Sequence, residues 1–182
     1  MAKVEHVYYT RLESPIGTIW VAATDEGLFQ VEIGRTEVKF LESIGKRIRA
    51  EIMEDPGRFD EIREMFKDYF DGRVVVFDLP FDLRGTDFQR NVWRAIYRIP
   101  HGKLSSYSRL AAEVGRPRAA RAVGNAVGSN PLWIVIPCHR AVRSDGSLGG
   151  YLGGLPMKRA LLEMEGVQFD ASGRVSQLRS VG

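Results

Sequence analysis

The apolar positions of the first half change period twice. "YYTRLESPIGTIWVAATDEGLFQVEIG" holds short runs rich in Val, Ile, Tyr and Trp, broken at Pro15-Ile16-Gly17 and Asp25-Glu26-Gly27. Such runs fit a pleated, half-buried surface and such breaks fit turns, so two or three antiparallel strands are predicted. The period then lengthens. "EVKFLESIGKRIRA" and "FDEIREMFKDYFDG" read as helices, the second with Phe59, Ile62, Met65, Phe66 and Phe70 on one stripe and Gly72 as its stop. Aromatics at that spacing belong to a core. "RVVVFDLPFDL" reads as a further strand, ending at a boundary around Arg84 and Gly85.

Beyond Arg84 the pattern is mainly helical. Thr86 and Gln89 have the spacing of a capping box for "TDFQRNVWRAIYRI", in which Phe88, Val92, Ile96 and Ile99 form one face and Arg90, Arg94 and Arg98 another. Pro100 and Gly102 end it. "SSYSRLAAEVG" predicts a short helix with Leu110, Ala111 and Val114 inward and Gly115 as its stop. Two or three linking residues later, "RPRAARAVGNAVGSN" predicts another, with Pro117 at its first position. Two short helices around a tight turn, the second rich in arginine, are the pattern of a helix-turn-helix. The second helix carries Ala119, Ala120, Ala122, Gly124, Ala126 and Gly128, so its surface can approach a partner closely; Arg118, Arg121 and Asn125 fall near one face. That composition suits a nucleic-acid groove, although packed alanines and solvated arginines would give the same pattern.

Composition sharpens this picture. The chain has 182 residues, 44% of them hydrophobic, enough for one ordinary domain or two small ones. Its net charge of +3 is unevenly spread: residues 1–84 carry 12 Lys and Arg against 17 Asp and Glu, a balance of −5, and residues 85–182 carry 14 against 6, a balance of +8. A basic C-terminal half points to a polyanionic partner. No apolar run approaches the roughly 20 residues that span a bilayer, and "MAKVEHVYYTRLESPIG" lacks a secretory pattern. A soluble, cytoplasmic protein is expected, with no membrane association.

The chain has one cysteine, Cys138, and three histidines. One thiol forms no internal disulfide, and this set does not give a zinc-site spacing, so no metal is expected. "LWIVI" is an apolar run of strand length that Pro137 should end, leaving Cys138 at a strand end. A lone intracellular cysteine is by default a small buried hydrophobe. Three features argue otherwise here: His139 and Arg140 follow directly, and cations favour the reactive thiolate; the arginine-rich helix lies just upstream; and "SDGSLGGYLGG" has five glycines in eleven residues, suited to a loop whose backbone approaches a ligand.

"IPCHR", preceded by "RAVGNAVGSNP" and followed by "GGYLGG" and "LLEMEG", strongly resembles the O6-alkylguanine-DNA alkyltransferases over roughly Phe88 to Gly166. The resemblance implies a mixed α/β chain: an N-terminal ribonuclease H-like domain with a small antiparallel sheet over 1–84, and a mainly helical, winged-helix-like helix-turn-helix domain over 85–182. It implies double-stranded DNA containing O6-alkylguanine as partner, no cofactor, and a monomer without an obligate protein partner. Cys138 would take the alkyl group irreversibly. His139 would act as base through a water, Glu165 would orient it, Asn130 would brace the helix-turn-helix against the active-site segment, and Lys158 would assist proton transfer. Tyr107 would donate to the guanine ring. The backbone of Cys138 and Ala141 would accept from the guanine amino group, with Tyr151, Leu152, Gly153 and Gly154 walling the pocket. Arg121 would fill the stack vacated by a flipped base, and Arg118, Asn125, Arg90 and Arg116 are the other candidate DNA contacts. The small-residue helix would dock in the minor groove.

Three other readings share some of these features. A noncatalytic alkylated-DNA binder keeps the helix-turn-helix but replaces the cysteine, which is present here. A helix-turn-helix regulator would need a dimerisation segment, and none is evident. A cysteine hydrolase would draw its base from His6, His101 or His139 and would need an oxyanion device, which the sequence does not display.

Overall fold

A computed structural model of the chain describes residues 5–176; the terminal parts of both expected domains, residues 1–4 and 177–182, lie outside the described residues. The chain forms two compact units, one from residues up to Arg84 together with Pro131–Val135, the other from Gly85–Asn130 and the residues from Ile136 onward.

The first unit is built on four strands. β1 (Glu5–Leu12), β2 (Ile19–Thr24) and β3 (Gly27–Ile33) form an antiparallel meander, and β4 (Ala50–Glu54) adds parallel to β1, giving the order β3-β2-β1-β4. The turn at Asp25-Glu26 works because Gly27 has φ 145° and no side chain: a Cβ there would sit 2.4 Å from the Pro80 carbonyl oxygen. α1 (Glu37–Gly45), capped by Thr36, buries Phe40 and Ile44 with Val7, Tyr9, Trp20, Ala22, Phe29 and Ile48. The helix predicted from Glu37 to Ala50 is therefore shorter, and its last residue opens β4, which the sequence pattern missed. β4 is short and half-exposed, so it carries no clean apolar alternation.

α2 (Asp60–Phe70) follows a 3-10 turn at Pro56–Phe59 and buries Ile62, Phe66 and Tyr69. Tyr69 takes a core position in place of Met65 and Phe70, which are half-buried. Phe66 and Tyr69 pack on Phe77, with centroids 5.0 and 6.2 Å away.

Neither of the two remaining apolar runs forms its expected strand. In "RVVVFDLPFDL" Val74 and Val76 are exposed and only Phe81 bridges Leu28; "LWIVI" supplies a bridge from Leu132 to Val31, then turns at Ile134, a β-branched residue at φ 70°. Both segments cap the outer edge of β3 with a few hydrogen bonds each. Leu28 N donates to Pro80 O at 2.7 Å and Asp82 N to Leu28 O at 2.9 Å; Val31 N donates to Pro131 O at 2.8 Å and Trp133 N to Val31 O at 3.2 Å. Pro80 and Pro131 have no N–H to extend either ladder. The result is a protected edge rather than a wider sheet.

In the second unit α3 (Asp87–Tyr97) has both halves of its capping box: Gln89 N donates to Thr86 Oγ1, and Thr86 N to Gln89 Oε1. It buries Val92, Trp93, Ala95 and Ile96 and exposes Arg94. Trp93 Nε1 donates to the Ala126 carbonyl at 2.8 Å, tying α3 to α5 (Ala120–Gly128). α4 (Tyr107–Glu113) lies between them in sequence and ends at Gly115, φ 72°. The link from α4 to α5 runs from Val114 to Ala119, longer than expected. Pro117 is not helical: Arg116 N returns to Ala111 O and Ala119 N to Arg116 O, so Pro117 and Arg118 sit in a turn before α5. Two-residue strands β5 (Ser105–Ser106) and β6 (Ala141–Val142) pair in parallel, and α6 (Leu155–Met164) closes the unit, with Val142, Leu162, Val167 and Val175 in one cluster.

Candidate active site

Cys138 opens a 3-10 turn, Cys138–Arg140, whose three side chains are all buried. The turn is held from both ends. On one side Asn130 Nδ2 donates to Ile136 O at 2.8 Å, and the same side chain hydrogen-bonds the thiol. On the other, the chain runs into β6, where Ala141 and Val142 pair with Ser105 and Ser106. Ser106 caps α4 by accepting from Arg109 N, so Tyr107, the first residue of that helix, is positioned by the same short pairing that fixes the thiol. Tyr107 also leans on a glycine: a Cβ on Gly149, φ 70°, would lie 2.9 Å from its ring.

Behind the thiol lies a closed network. Glu165, in the cap position after α6, is buried and accepts from His139 Nε2 at 2.7 Å, from Arg140 Nε at 2.8 Å and Nη2 at 3.0 Å, and from Gly102 N at 3.2 Å. Arg140 Nη1 donates to Ile99 O at 2.6 Å. An ionised carboxylate only accepts, so the His139 proton sits on Nε2 and the neutral ring keeps its lone pair on Nδ1. That nitrogen hydrogen-bonds no other group among the described residues. Burial alone would raise the Glu165 carboxyl, but the hydrogen bonds and charges of His139 and Arg140 outweigh it and hold it well below the ordinary carboxylate range. Burial pushes His139 down; Glu165 opposes this, while Arg140 and Lys158 reinforce it. Histidine therefore rests as neutral imidazole.

The thiol itself is pushed up by burial, against weaker lowering by the Asn130 hydrogen bond and the charge of Lys158. This corrects the expectation of a cationic neighbourhood that favours thiolate. Arg140 spends its charge on Glu165 and His139 is neutral, so the resting sulfur is a protonated thiol that needs a base.

Lys158 has no exposed surface and reaches from α6 to three carbonyls: Ala141 at 2.6 Å, Leu148 at 2.5 Å and Gly150 at 3.3 Å. It clamps the glycine-rich loop to the segment after the thiol. Burial lowers its pKa to about 8, with partial opposition from Cys138. Tyr107 is raised by burial and by Cys138, against Arg143. Tyr151 and Gly153 are half-buried, Leu152 is exposed, and Gly154 N donates to Tyr151 O across the turn before α6. The carbonyls of Cys138 and Ala141 accept from Ala141 N and Lys158 respectively.

The structure thus brings Cys138, His139, Glu165, Asn130, Lys158, Tyr107 and Ala141 into one unit. On α5, Arg121 and Asn125 are exposed on the side opposite Val123, Ala126 and Val127. Arg116 and Arg118 are exposed on the turn before it. Arg90 is placed differently: its guanidinium is engaged by Asp87 and the Gly85 carbonyl at the start of α3. Sequence reasoning gave Arg140 only a general charge and gave Gly102 only the role of a helix stop; their hydrogen bonds to Glu165 depend on folding across more than sixty positions in the case of Gly102, which no local pattern signals. Among the described residues no group of three or more His, Cys, Asp or Glu could hold a metal ion. No helix is long and apolar enough to cross a membrane, again among the described residues.

Both halves of the chain match known proteins. The ribonuclease-like domain of 6-O-methylguanine DNA methyltransferase matches residues 7–83, and the DNA-binding domain of the same family matches residues 87–167. The methylated-DNA–protein-cysteine methyltransferase of Mycobacterium tuberculosis strain H37Rv is 42% identical over 159 residues, which is 87% of this chain and 92% of that one. Its counterpart in Methanosarcina barkeri is 40% identical over 87% of this chain and 97% of its own. The crystal structure of Mycobacterium tuberculosis O6-methylguanine methyltransferase superposes with a TM-score of 0.76 at 38% identity, covering 97% of this chain and 99% of that one. A structure of the Mycobacterium tuberculosis protein in complex with DNA gives the same TM-score at 40% identity, over 88% and 92% of the two chains. With one domain of the family matched on each side of Arg84, and relatives matched over nearly their whole length, the chain belongs to the methylated-DNA–protein-cysteine methyltransferase family.

Proposed function

We propose that this protein repairs DNA by moving a methyl or other alkyl group from O6 of guanine to Cys138, once per molecule. The observation that carries this reading is the buried, protonated thiol beside a neutral histidine whose Nε2 is committed to Glu165, in a chain of this family. His139 Nδ1 takes the thiol proton through a water. Sγ then forms a bond to the alkyl carbon as the carbon–O6 bond breaks, and the electron pair stays with guanine. Tyr107 donates a hydrogen bond to the ring as its charge grows, and the proton lost from sulfur is returned to guanine with the assistance of Lys158. The thioether has no base or leaving group to reverse the step, so the protein acts stoichiometrically.

A base inside a duplex cannot reach a buried thiol, and flipping it costs a few kcal/mol. Arg121 offsets part of that cost by occupying the stack. Arg116, Arg118 and Asn125 hold the backbone as α5 presents its small surface to the minor groove. Arg90, committed to Asp87, contributes less. Tyr151, Leu152 and Gly153 wall the base pocket, and the backbone carbonyls of Cys138 and Ala141 accept from the guanine amino group. The protein acts as a monomer in the cytoplasm, with access to the chromosome; a function that rests on one free thiol fits a reducing compartment.

Intact mass after incubation with a duplex containing one O6-methylguanine tests the reading. The expected result is a gain of one methylene located on Cys138, guanine restored in the DNA, and no gain in Cys138→Ala. Tight binding to the damaged duplex without a mass gain would overturn it in favour of a noncatalytic lesion binder.

A further inference from the structure

Arg140 has no part in the transfer as described above, yet it makes more buried contacts to Glu165 than His139 does. Each oxygen of Glu165 accepts from at least two donors: His139 Nε2 and Arg140 Nη2 on Oε1, Arg140 Nε and Gly102 N on Oε2. The guanidinium cannot swing away, because Nη1 is fixed on Ile99 O at 2.6 Å and its side chain is 8% exposed. Two parallel N–H bonds onto one carboxylate fix the plane of that carboxylate as well as its charge.

We infer that Arg140 is a positioning residue for the transfer: it neutralises and aims Glu165 so that His139 remains available as the base for Cys138. A buried carboxylate paired with histidine alone favours the imidazolium, and an imidazolium cannot accept the thiol proton. With Arg140 in place the Glu165 charge is already balanced, and the carboxylate still orients the ring through Nε2. Among the described residues the other charged group acting on His139 is Lys158 from α6, in the same direction as Arg140, and the titratable Cys138 precedes His139 on the same turn. The same contacts join the site to the segment that follows α3, through Ile99 O and Gly102 N, and a Cβ at Gly102 would lie 2.8 Å from Glu165 O. This inference rests on the alkyl-transfer reading for its consequence, but its electrostatic part can be measured separately.

The test is the pH profile of alkylation of Cys138 by free O6-benzylguanine, which needs no flipped duplex, for wild type, Arg140→Lys, Arg140→Met and Arg140→Met/Glu165→Gln. In Arg140→Met the acid limb should move up by roughly one pH unit, so that the rate at a pH below the limb falls about tenfold. Arg140→Lys, which keeps the charge and loses the fork, should move it less. The double variant removes both charges together and should bring the limb back towards that of wild type, a rescue that a merely structural arginine would not produce. Should Arg140→Met not fold, the lysine and double variants carry the comparison. NMR titration of the His139 ring gives the same ordering without any reaction. Limbs that coincide in all folded variants, with only plateau rates or melting temperatures changed, overturn the inference. Absence of any alkyl gain on wild-type Cys138 overturns the function instead, and the His139 titration still decides the role of Arg140.

Discussion

At the scale of single residues, the site pairs buried charges with fixed partners and leaves one, Lys158, in an unusual state. Its ammonium is wholly buried, held by three carbonyls and lying 5.9 Å from the centre of the Tyr107 ring with no carboxylate among these partners, and its pKa falls from 10.5 to about 8. Between these values the unfolded chain holds the proton more tightly than the native one, so stability gains with rising pH across that window; below about 8 the full penalty of the buried charge is present. At 1.36 kcal/mol per pH unit the gain is bounded at about 3 kcal/mol. Urea unfolding of wild type and Lys158→Met at the two ends of the window measures it. The difference between the two proteins should shift in favour of wild type as pH rises, and a difference independent of pH would mean that the lysine is not protonated against its environment. The residues of the site were legible in unequal measure. Cys138 and His139 stood out as the lone thiol and its neighbour; Arg140 stood beside them in "IPCHR" but its partner, Glu165, is 25 positions away, and adjacency in sequence assigned its charge to the wrong group.

At the scale of elements, the periods that read correctly are those with local causes. The capping box of α3 needs only Thr86 and Gln89, and the stop of α4 needs only Gly115. The runs that misled are those whose state is set at a distance: "LWIVI" and "RVVVFDLPFDL" have strand composition, but the edge of β3 offers each only a few hydrogen bonds between prolines. α5 belongs to the first kind. Its exposed Arg121 and Asn125 follow from helical spacing, whereas Arg118 falls on the preceding turn because the segment at Pro117 closes on Ala111. If Arg121 occupies the stack left by a flipped base, Arg121→Ala should slow transfer from a duplex more than transfer from free O6-benzylguanine. Each 1.4 kcal/mol of lost support is about tenfold in rate, and flipping costs a few kcal/mol, so the two losses should differ by roughly tenfold or more. Equal losses on both substrates would remove Arg121 from the flipping step and place it with the site instead.

At the scale of the whole molecule, the uneven charge of the sequence becomes a division of labour between the two units. The acidic residues lie mostly before Arg84, and the exposed arginines of the turn and helix lie after it. A repair protein must bind any sequence, and binding through phosphates releases counterions in proportion to the phosphates neutralised. Arg116 and Arg118 have exposed guanidiniums next to α5, while Arg90 is held by Asp87. Replacing Arg116 and Arg118 together by alanine should therefore make the slope of log K against log salt shallower by about 2, with equal weakening on unrelated duplexes, because each phosphate contact contributes roughly 0.9 to that slope. Arg90→Ala should leave the slope nearly unchanged. A slope that responds to Arg90 as strongly as to Arg116 and Arg118 would mean that DNA is held by the net field of the chain, and not by the cationic turn that leads into α5.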